Sequence, residues 1–189
     1  MITGILQQIN WVDILVAILL IRSIYLGFKN GLFIELFKIL GLLSALYISM
    51  HYYTLFSDYL GKHFNLEKIP LRFLDFLVFF ILAIGVYALF VGFRYCLDRF
   101  IEAEVVPLLN RWGALILSSI KGLLLVSLVA FILLISSVDY LKDSVNNSYS
   151  GKHLIKVATS TYSFLWNNIF SKFMPNEKFN TTVEEVQSS

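Results

Sequence analysis

The chain has 189 residues, of which 58% are hydrophobic, 16% aromatic and 15% charged, and its mean hydropathy is +0.74. This apolar content exceeds the roughly 45–50% of soluble domains and predicts an integral membrane protein. With 15 Lys and Arg against 13 Asp and Glu, the formal charge of +2 is too small to indicate a nucleic-acid-binding surface. We therefore expect the lipid bilayer, and not nucleic acid, as a partner.

Cysteine and histidine usage argues against a disulfide scaffold and against a metal site. The single cysteine, Cys96, cannot form an internal disulfide. His51, His63 and His153 do not fall at the short spacings typical of zinc ligands. The sequence also lacks a nucleophile elbow, a P-loop, a dinucleotide-binding glycine pattern and an HExxH motif. We expect no metal, no cofactor and no catalytic residues.

Four segments are long and apolar enough to cross the hydrocarbon of a bilayer, which takes about 20 residues of helix. They lie at about residues 9–25, 32–50, 73–97 and 112–138. Aromatic residues suited to the interfacial layer stand near their ends, namely Trp11, Tyr25, Tyr52, Tyr53, Tyr95, Trp112 and Tyr140. The sequence predicts an all-α integral membrane four-helix bundle of two helical hairpins, within residues 1–138.

The connections between these spans differ in length and character. Only residues 27–31 separate the first two spans, which predicts a tight helical hairpin. Residues 51–72 mix aromatic and charged side chains and are compatible with a short amphipathic helix on the membrane surface. Residues 98–111 form the third connection, in which Pro107 marks a break.

The chain becomes less hydrophobic after the fourth span. Residues 139–175 predict a turn and then an amphipathic helix that lies on the membrane surface. The apolar stripe of that helix has three- or four-residue spacing and comprises Ile155, Ala158, Tyr162, Leu165, Ile169 and Phe173. The polar residues 176–189 are predicted to be disordered.

Lys and Arg near the span ends predict the orientation, because cytoplasmic connections carry an excess of them. The first and third connections, with their flanks, hold Arg22, Lys29, Arg94, Arg99 and Arg111. The second connection holds Lys62, Lys68 and Arg72, and no Lys or Arg precedes Arg22. This bias predicts that both termini lie outside the cytoplasm.

Ionisable residues inside the spans are the first candidates for function, because a charge in hydrocarbon is unfavourable unless it is paired or hydrated. Lys121 lies about 13 Å along the fourth helix from Trp112. Glu35 enters the same leaflet, because the second and fourth spans start on the same side. We predict a Glu35–Lys121 ion pair that either locks the bundle or lines a polar path. The alternative is that Lys121 extends along its stem to the headgroups.

Small residues at four-residue spacing are a second signal, since they let helices approach closely. Ala114, Ser118 and Gly122 share this spacing in the fourth span and suit either internal packing or self-association. Gly85 and Gly92 in the third span are open to the same two interpretations.

Gly27 and Gly31 also have the spacing of a helix-packing pair. They flank the polar tip Phe28, Lys29 and Asn30, so the hairpin turn explains them as well.

Two acidic residues, Asp13 and Asp75, stand at the starts of the first and third spans. They could bind a cation or relay protons at one surface. The structural explanation is stronger, because an acidic residue is favoured near a helix N-terminus.

The chain resembles the colicin V production protein (CvpA) family, small four-span proteins of the bacterial inner membrane. The resemblance rests on WVD at 11–13, LGFKNGLFIELFKILG at 26–41 and RWGALILSSIKGLLLV at 111–126. In that family an Asp begins the first span, Gly-x-x-x-Gly-x-x-x-Glu crosses the first hairpin, and Arg-Gly or Lys-Gly lies inside the fourth span. The matching positions here are Asp13, Gly27, Gly31, Glu35, Gly41, Gly113, Lys121 and Gly122.

The chain departs from the family pattern at two points. The hairpin tip is usually more basic than Lys29 with Asn30, and the fourth-span cation is more often Arg than Lys. Since Lys cannot make the bidentate contact of Arg, a specific anion clamp at Lys121 is less strongly implied.

The resemblance implies a role in colicin V or toxin production or export and in envelope homeostasis. We expect a non-enzymatic protein of the bacterial inner membrane that acts through helix-mediated association, as a homo-oligomer or with another membrane protein. The alternative is a small oligomeric channel or transporter with a pore lined by the fourth span, including Ser118 and Lys121.

Overall fold

Four long helices dominate the computed structural model, which describes residues 10–64, 69–97 and 107–188. They are α1 (Trp11–Lys29), α2 (Leu32–His63), α3 (Leu71–Leu97) and α4 (Pro107–Ile135). Each is long and apolar enough to cross a membrane. The predicted all-α four-span architecture is therefore confirmed, and the chain is a multi-pass membrane protein. The predicted start of the first span at residue 9 and most of the third connection, residues 98–106, lie outside the described residues.

The packing of the bundle joins helices that are not all neighbours in sequence. α2 packs most extensively along α3, α1 packs along α4, and α4 also packs along α2. The tight turn predicted between the first two spans is present at Asn30 and Gly31. However, α1 packs mainly on α4 and not on α2. α2 and α4 are the more buried helices, whereas α1 and α3 expose most of their apolar surface.

Helix α2 is longer than the predicted span of 32–50. Residues 51–63, expected in a connection with a surface helix, continue α2 without a break, and the N–H of Phe64 closes its last turn on the carbonyl of Leu60. No proline occurs before Pro70 to stop the helix. Its 32 residues span about 48 Å, which exceeds the about 30 Å of bilayer hydrocarbon. The last turns of α2 therefore extend beyond the membrane-spanning part of the helix.

After α4 the chain forms α5 (Asp139–Asn147) and α6 (Gly151–Leu165), and α6 runs on through a π-helical turn, Trp166–Phe170, to Ser171–Phe173. The apolar face of α6 packs on α4.

The predicted apolar stripe of α6 is correct for its first half. Ile155, Ala158 and Tyr162 are buried, but Ile169 and Phe173 are exposed. The π-helical turn explains the difference, because its wider turn shifts the side-chain register. Trp166 takes the buried position, and the ring of Phe170 stacks on Tyr47 with a centroid separation of 3.7 Å.

Residues 176–188, part of the tail predicted to be disordered, contact the bundle. They include a short helix, α7 (Thr182–Ser188), in which Val183 is fully buried. The Nδ2 of Asn180 donates to the carbonyl of Met50 at 2.8 Å and to the Thr54 hydroxyl at 3.2 Å. Met50 ends the predicted second span and Thr54 lies on the part of α2 beyond it, so this contact depends on the unforeseen length of that helix.

A buried hydrogen-bond chain fixes this tail to α2 and α6. His51 Nε2 lies 2.7 Å from Glu177 Oε2, and His51 Nδ1 lies 2.9 Å from the Tyr162 hydroxyl. Burial raises the pKa of Tyr162 to about 12, so its hydroxyl is protonated at neutral pH. That oxygen accepts from the Asn180 N–H at 3.0 Å, which leaves its own proton available for His51 Nδ1. His51 Nε2 then donates to Glu177, whose carboxylate also accepts from Tyr52.

We expect Glu177→Ala to release the C-terminal segment from the bundle, because it removes the acceptor of both His51 and Tyr52. Hydrogen bonds to a charged group contribute about 1.5–3 kcal/mol, so amide hydrogen exchange in residues 176–188 should accelerate by about tenfold or more. The control is Glu184→Ala, since Glu184 is exposed. Equal protection of this segment in both variants would contradict the proposed anchoring.

Candidate functional site

The predicted ion pair between α2 and α4 is present and buried. Glu35 lies in the first turn of α2 with no exposed surface, and Lys121 lies in the middle of α4 and is 6% exposed. The Nζ of Lys121 donates to Glu35 Oε2. Lys121 therefore does not extend to the headgroups.

Two further donors complete the environment of Glu35. Asn30 Nδ2 donates to Glu35 Oε1 at 2.7 Å, and Lys38 Nζ donates to the same oxygen at 3.1 Å. Both carboxylate oxygens are thus occupied. Neither partner was predicted from the sequence, although the i,i+3 spacing of Glu35 and Lys38 was a usable signal.

Asn30, Glu35, Lys38 and Lys121 form a polar cluster at the contact between α2 and α4. An isolated charge has a large desolvation penalty there, and paired, hydrogen-bonded charges offset much of it. One carboxylate faces two ammonium groups, of which Lys38 is partly exposed. Removing one partner from such a pair typically costs about 3–5 kcal/mol. The cluster therefore specifies how α2 and α4 are paired.

Asn110 adds a second link between α4 and the start of α2. Its Oδ1 accepts a hydrogen bond from the backbone N–H of Leu32 at 2.5 Å. This satisfies one of the N–H groups that a helix N-terminus leaves without an intrahelical partner. A Cβ at Gly31 would lie 3.0 Å from the same oxygen, so glycine at this turn leaves room for Asn110. Asn110 was not identified from the sequence.

The small residues of α4 pack internally against α1. Ala114, Ser118 and Gly122 are buried, and the Ser23 hydroxyl donates to the carbonyl of Ser118 at 2.9 Å. A Cβ at Gly27 would overlap the Ser118 side chain. Of the two interpretations of the glycine pair in the hairpin, close packing applies to Gly27 and the turn applies to Gly31.

The remaining glycines fall into two groups. A Cβ at Gly41 would lie 2.8 Å from Cβ of Phe90 on α3, and one at Gly113 would lie 2.6 Å from the side chain of Leu32. These two belong to tight helix contacts. Gly85 and Gly92 on α3 are exposed, and a Cβ at either would meet no atom within 4 Å among the described residues.

Asp13 and Asp75 have separate structural partners. Asp13 Oδ1 accepts from the backbone N–H of Ser150 at 2.9 Å and from the Ser150 hydroxyl at 2.5 Å, while Oδ2 accepts from the Asn10 N–H at 3.1 Å. It therefore joins the start of α1 to the turn before α6. Asp75 accepts from the hydroxyl of Ser57 on α2. The helix-start explanation fits Asp13, which lies in the first turn of α1, but Asp75 lies beyond the first turn of α3 and is held by Ser57 instead.

Comparison with known proteins identifies one family. The family model described as Colicin V production protein matches residues 12–159, which include both partners of the ion pair and the packed glycines. No curated protein matches the chain significantly. No solved structure does so either.

The first prediction from this site concerns the ion pair. Lys121→Met should lower the free energy of unfolding by about 3 kcal/mol, toward the lower end of buried-pair losses because Asn30 and Lys38 remain. Lys38→Met is the matched control and should cost about 1 kcal/mol or less, because Lys38 is partly exposed. SDS titration of the purified protein, followed by circular dichroism, measures both. Equal losses of unfolding free energy in the two variants would show that the buried Lys121 does not contribute more to stability than the partly exposed Lys38.

The second prediction from this site concerns the contact between α1 and α4. Gly27→Ala should destabilise the protein by about 1–3 kcal/mol, because the added methyl group overlaps Ser118. Gly61→Ala is the matched control on α2 and should be neutral or slightly stabilising, because the nearest atom to a Cβ there would be Leu74 Cδ2 at the ordinary contact distance of 3.8 Å. Thermal unfolding in detergent compares the two, and equal melting temperatures for both variants would rule out close packing at Gly27.

Proposed function

The chain belongs to the Colicin V production protein family, and from that membership we propose that it supports the production or export of colicin V or a related toxin. It does so as a non-enzymatic protein of the bacterial inner membrane, with a broader role in envelope homeostasis. Its mode of action is association through helix surfaces, first of all with a second copy of itself.

Small residues exposed on one side of α3 support this mode of action. Among the residues of α3 whose burial is described, 71–96, the buried apolar ones are only Leu74, Val78, Phe79 and Ala83. Gly85, Gly92 and Cys96 are exposed at seven- and four-residue spacing and so share one side of the helix. Glycines with no packing partner inside the chain allow close approach of another helix.

The alternative, a pore lined by α4, is less consistent with the geometry. Lys121 is paired with Glu35, and Ala114, Ser118 and Gly122 face α1 within one chain. The exposed positions of α4 are apolar through the middle of the helix, at Ile116, Ile120 and Leu123. A pore would require these helices to separate.

The proposal includes the orientation predicted from the sequence, with both termini in the periplasm. Arg22, Lys29 and Arg111 are exposed near the end of the bundle where α1 turns into α2. Lys29 lies 4.7 Å from the ring centroid of Tyr25, as is common at an interface. This end is assigned to the cytoplasm.

Because Cys96 is the single cysteine of the sequence, disulfide crosslinking can test the association without introducing another cysteine. If two copies meet along this face of α3, oxidation of native membranes should yield a disulfide-linked dimer through Cys96. Gly92→Leu should lower the dimer yield severalfold and reduce secretion of colicin V in a complementation assay, because a bulky side chain blocks the approach. Ala17→Leu on the exposed face of α1 is the matched control and should alter neither readout.

Two outcomes would contradict the proposal. One is the absence of dimer while Cys96 reacts readily with a maleimide in the same membranes. The other is full secretion by Gly92→Leu despite loss of the dimer, which would separate self-association from function.

A further inference from the structure

Helix α6 and its continuation to Phe173 carry one row of exposed residues along the side that does not pack on the bundle. Ile155, Ala158 and Tyr162 are buried on the inner side. The exposed row has three- and four-residue spacing and comprises His153, Lys156, Ser160, Phe164, Asn168 and Lys172. This row, the outer face of α6, joins basic and polar side chains to one large apolar ring.

The π-helical turn keeps the row on one side of the helix. In a regular α-helix a four-residue step rotates a side chain by about 40°, so the steps from Ser160 to Lys172 would drift around the axis. The wider turn at Trp166–Phe170 offsets part of that rotation. Across this turn, Asn168 Nδ2 donates to the carbonyl of Phe164 at 2.9 Å. The cation at the end of the helix therefore stays on the same side as the cations at its start.

The charge of this segment has a single sign. Residues 144–176 contain no Asp and no Glu, whereas they contain Lys152, Lys156 and Lys172 in addition to His153. All four of these residues are exposed, and none of the three lysines forms an ion pair within the described part of the chain. An amphipathic helix with cations on its polar face is typical of a surface that meets anionic headgroups.

The inner side of α6 places the helix at the ends of the spans. Ile155 belongs to a buried cluster that includes Val12, near the start of α1, and Leu134, near the end of α4. Further along, Tyr162 belongs to the cluster that includes Met50 of α2. The ends of apolar spans lie in the interfacial layer of a bilayer. The outer face of α6 is therefore at the height of the lipid headgroups.

Exposed aromatic rings favour lipid over an acidic protein as the occupant of this surface. Phe164 is 61% exposed and Phe173 is 78% exposed. At the boundary of a bilayer such rings can enter the upper acyl region, while neighbouring ammonium groups stay among the phosphates. An acidic protein in water would pair with the lysines and leave these rings without an apolar environment.

We propose that the outer face of α6 binds anionic phospholipid, of which phosphatidylglycerol is the probe, and concentrates it beside the bundle. Lys156 and Lys172 pair with lipid phosphates, and Phe164 enters the acyl boundary between them. The two lysines are about 24 Å apart along the helix, so they contact different lipid molecules. In a zwitterionic lipid the headgroup cation competes with these lysines for the phosphate. The inference depends neither on association through α3 nor on the orientation of the chain.

The test uses the full chain with Cys96→Ser and Ser160→Cys, which places a single fluorophore on the outer face of α6. The labelled protein is reconstituted in phosphatidylcholine vesicles that contain a small fraction of quencher lipid. The quencher is a nitroxide near the headgroup end of the acyl chain, carried either by phosphatidylglycerol or by phosphatidylcholine. The ratio of the two quenching constants measures the local preference for the anionic lipid.

We expect phosphatidylglycerol to quench at least about fivefold more strongly at low salt, because one lysine near an anionic lipid surface contributes about that factor. Combining Lys152→Gln, Lys156→Gln and Lys172→Gln should bring the ratio close to one. High salt should also lower the ratio, because exposed charges are screened. Quenching by labelled phosphatidylcholine should stay the same in the combined variant, which shows that α6 keeps its place.

Lys62→Gln is the matched control for loss of an exposed lysine. Lys62 lies about 45 Å along α2 from Leu32, beyond the about 30 Å of hydrocarbon, and its replacement should leave the ratio at the wild-type value. Lys156→Gln alone should lower it. An equal effect of these two single variants would overturn the proposal.

Two further results would also overturn it. Equal quenching by the two labelled lipids would show that the outer face of α6 has no preference for anionic lipid. Absence of quenching by either lipid would show that this face is turned to water or covered by a protein.

Discussion

The bundle depends on one constraint, which is that a carboxylate buried among apolar helices must be neutralised by partners from more than one segment. Glu35 meets this requirement with Asn30 from the preceding turn, Lys38 from its own helix and Lys121 from α4. Because a wrong pairing would leave an uncompensated charge, this cluster selects the arrangement in which α4 packs against α2. Asn110 reinforces that choice at the end of the same contact, through the N–H of Leu32.

Small residues then allow the helices to reach the separation that this pairing needs. Gly27 accommodates Ser118, Gly113 accommodates Leu32, and Gly41 accommodates Phe90. The polar and close-packed surfaces are thereby enclosed within one chain. Apolar side chains remain exposed along α1 and α3 and also on α4, at Ile116, Ile120 and Leu123. The far end, closed by the C-terminal segment, has a different, polar character.

The spans and the ion pair were predictable, because both follow from the energetics of burial in a bilayer. Four apolar segments and an alternating topology bring Glu35 and Lys121 to one leaflet without any knowledge of packing. The C-terminal half was less predictable. The end of α2 carries no local signal that Glu177, 126 residues away, would bind His51. Likewise, the π-helical turn at Trp166–Phe170 changes the register of a stripe whose spacing is regular in sequence. These features arise from tertiary contacts that override the local pattern.

A double-mutant cycle at Glu35 and Lys121 tests the central claim most directly. Glu35→Leu, Lys121→Met and the double variant are compared by free energy of unfolding in lipid bicelles. If the pair specifies the bundle, the double variant will be more stable than the sum of the single losses predicts, with a coupling free energy of at least about 1 kcal/mol. Additive losses, with no coupling, would show that the two charges do not act as a pair and would contradict the account.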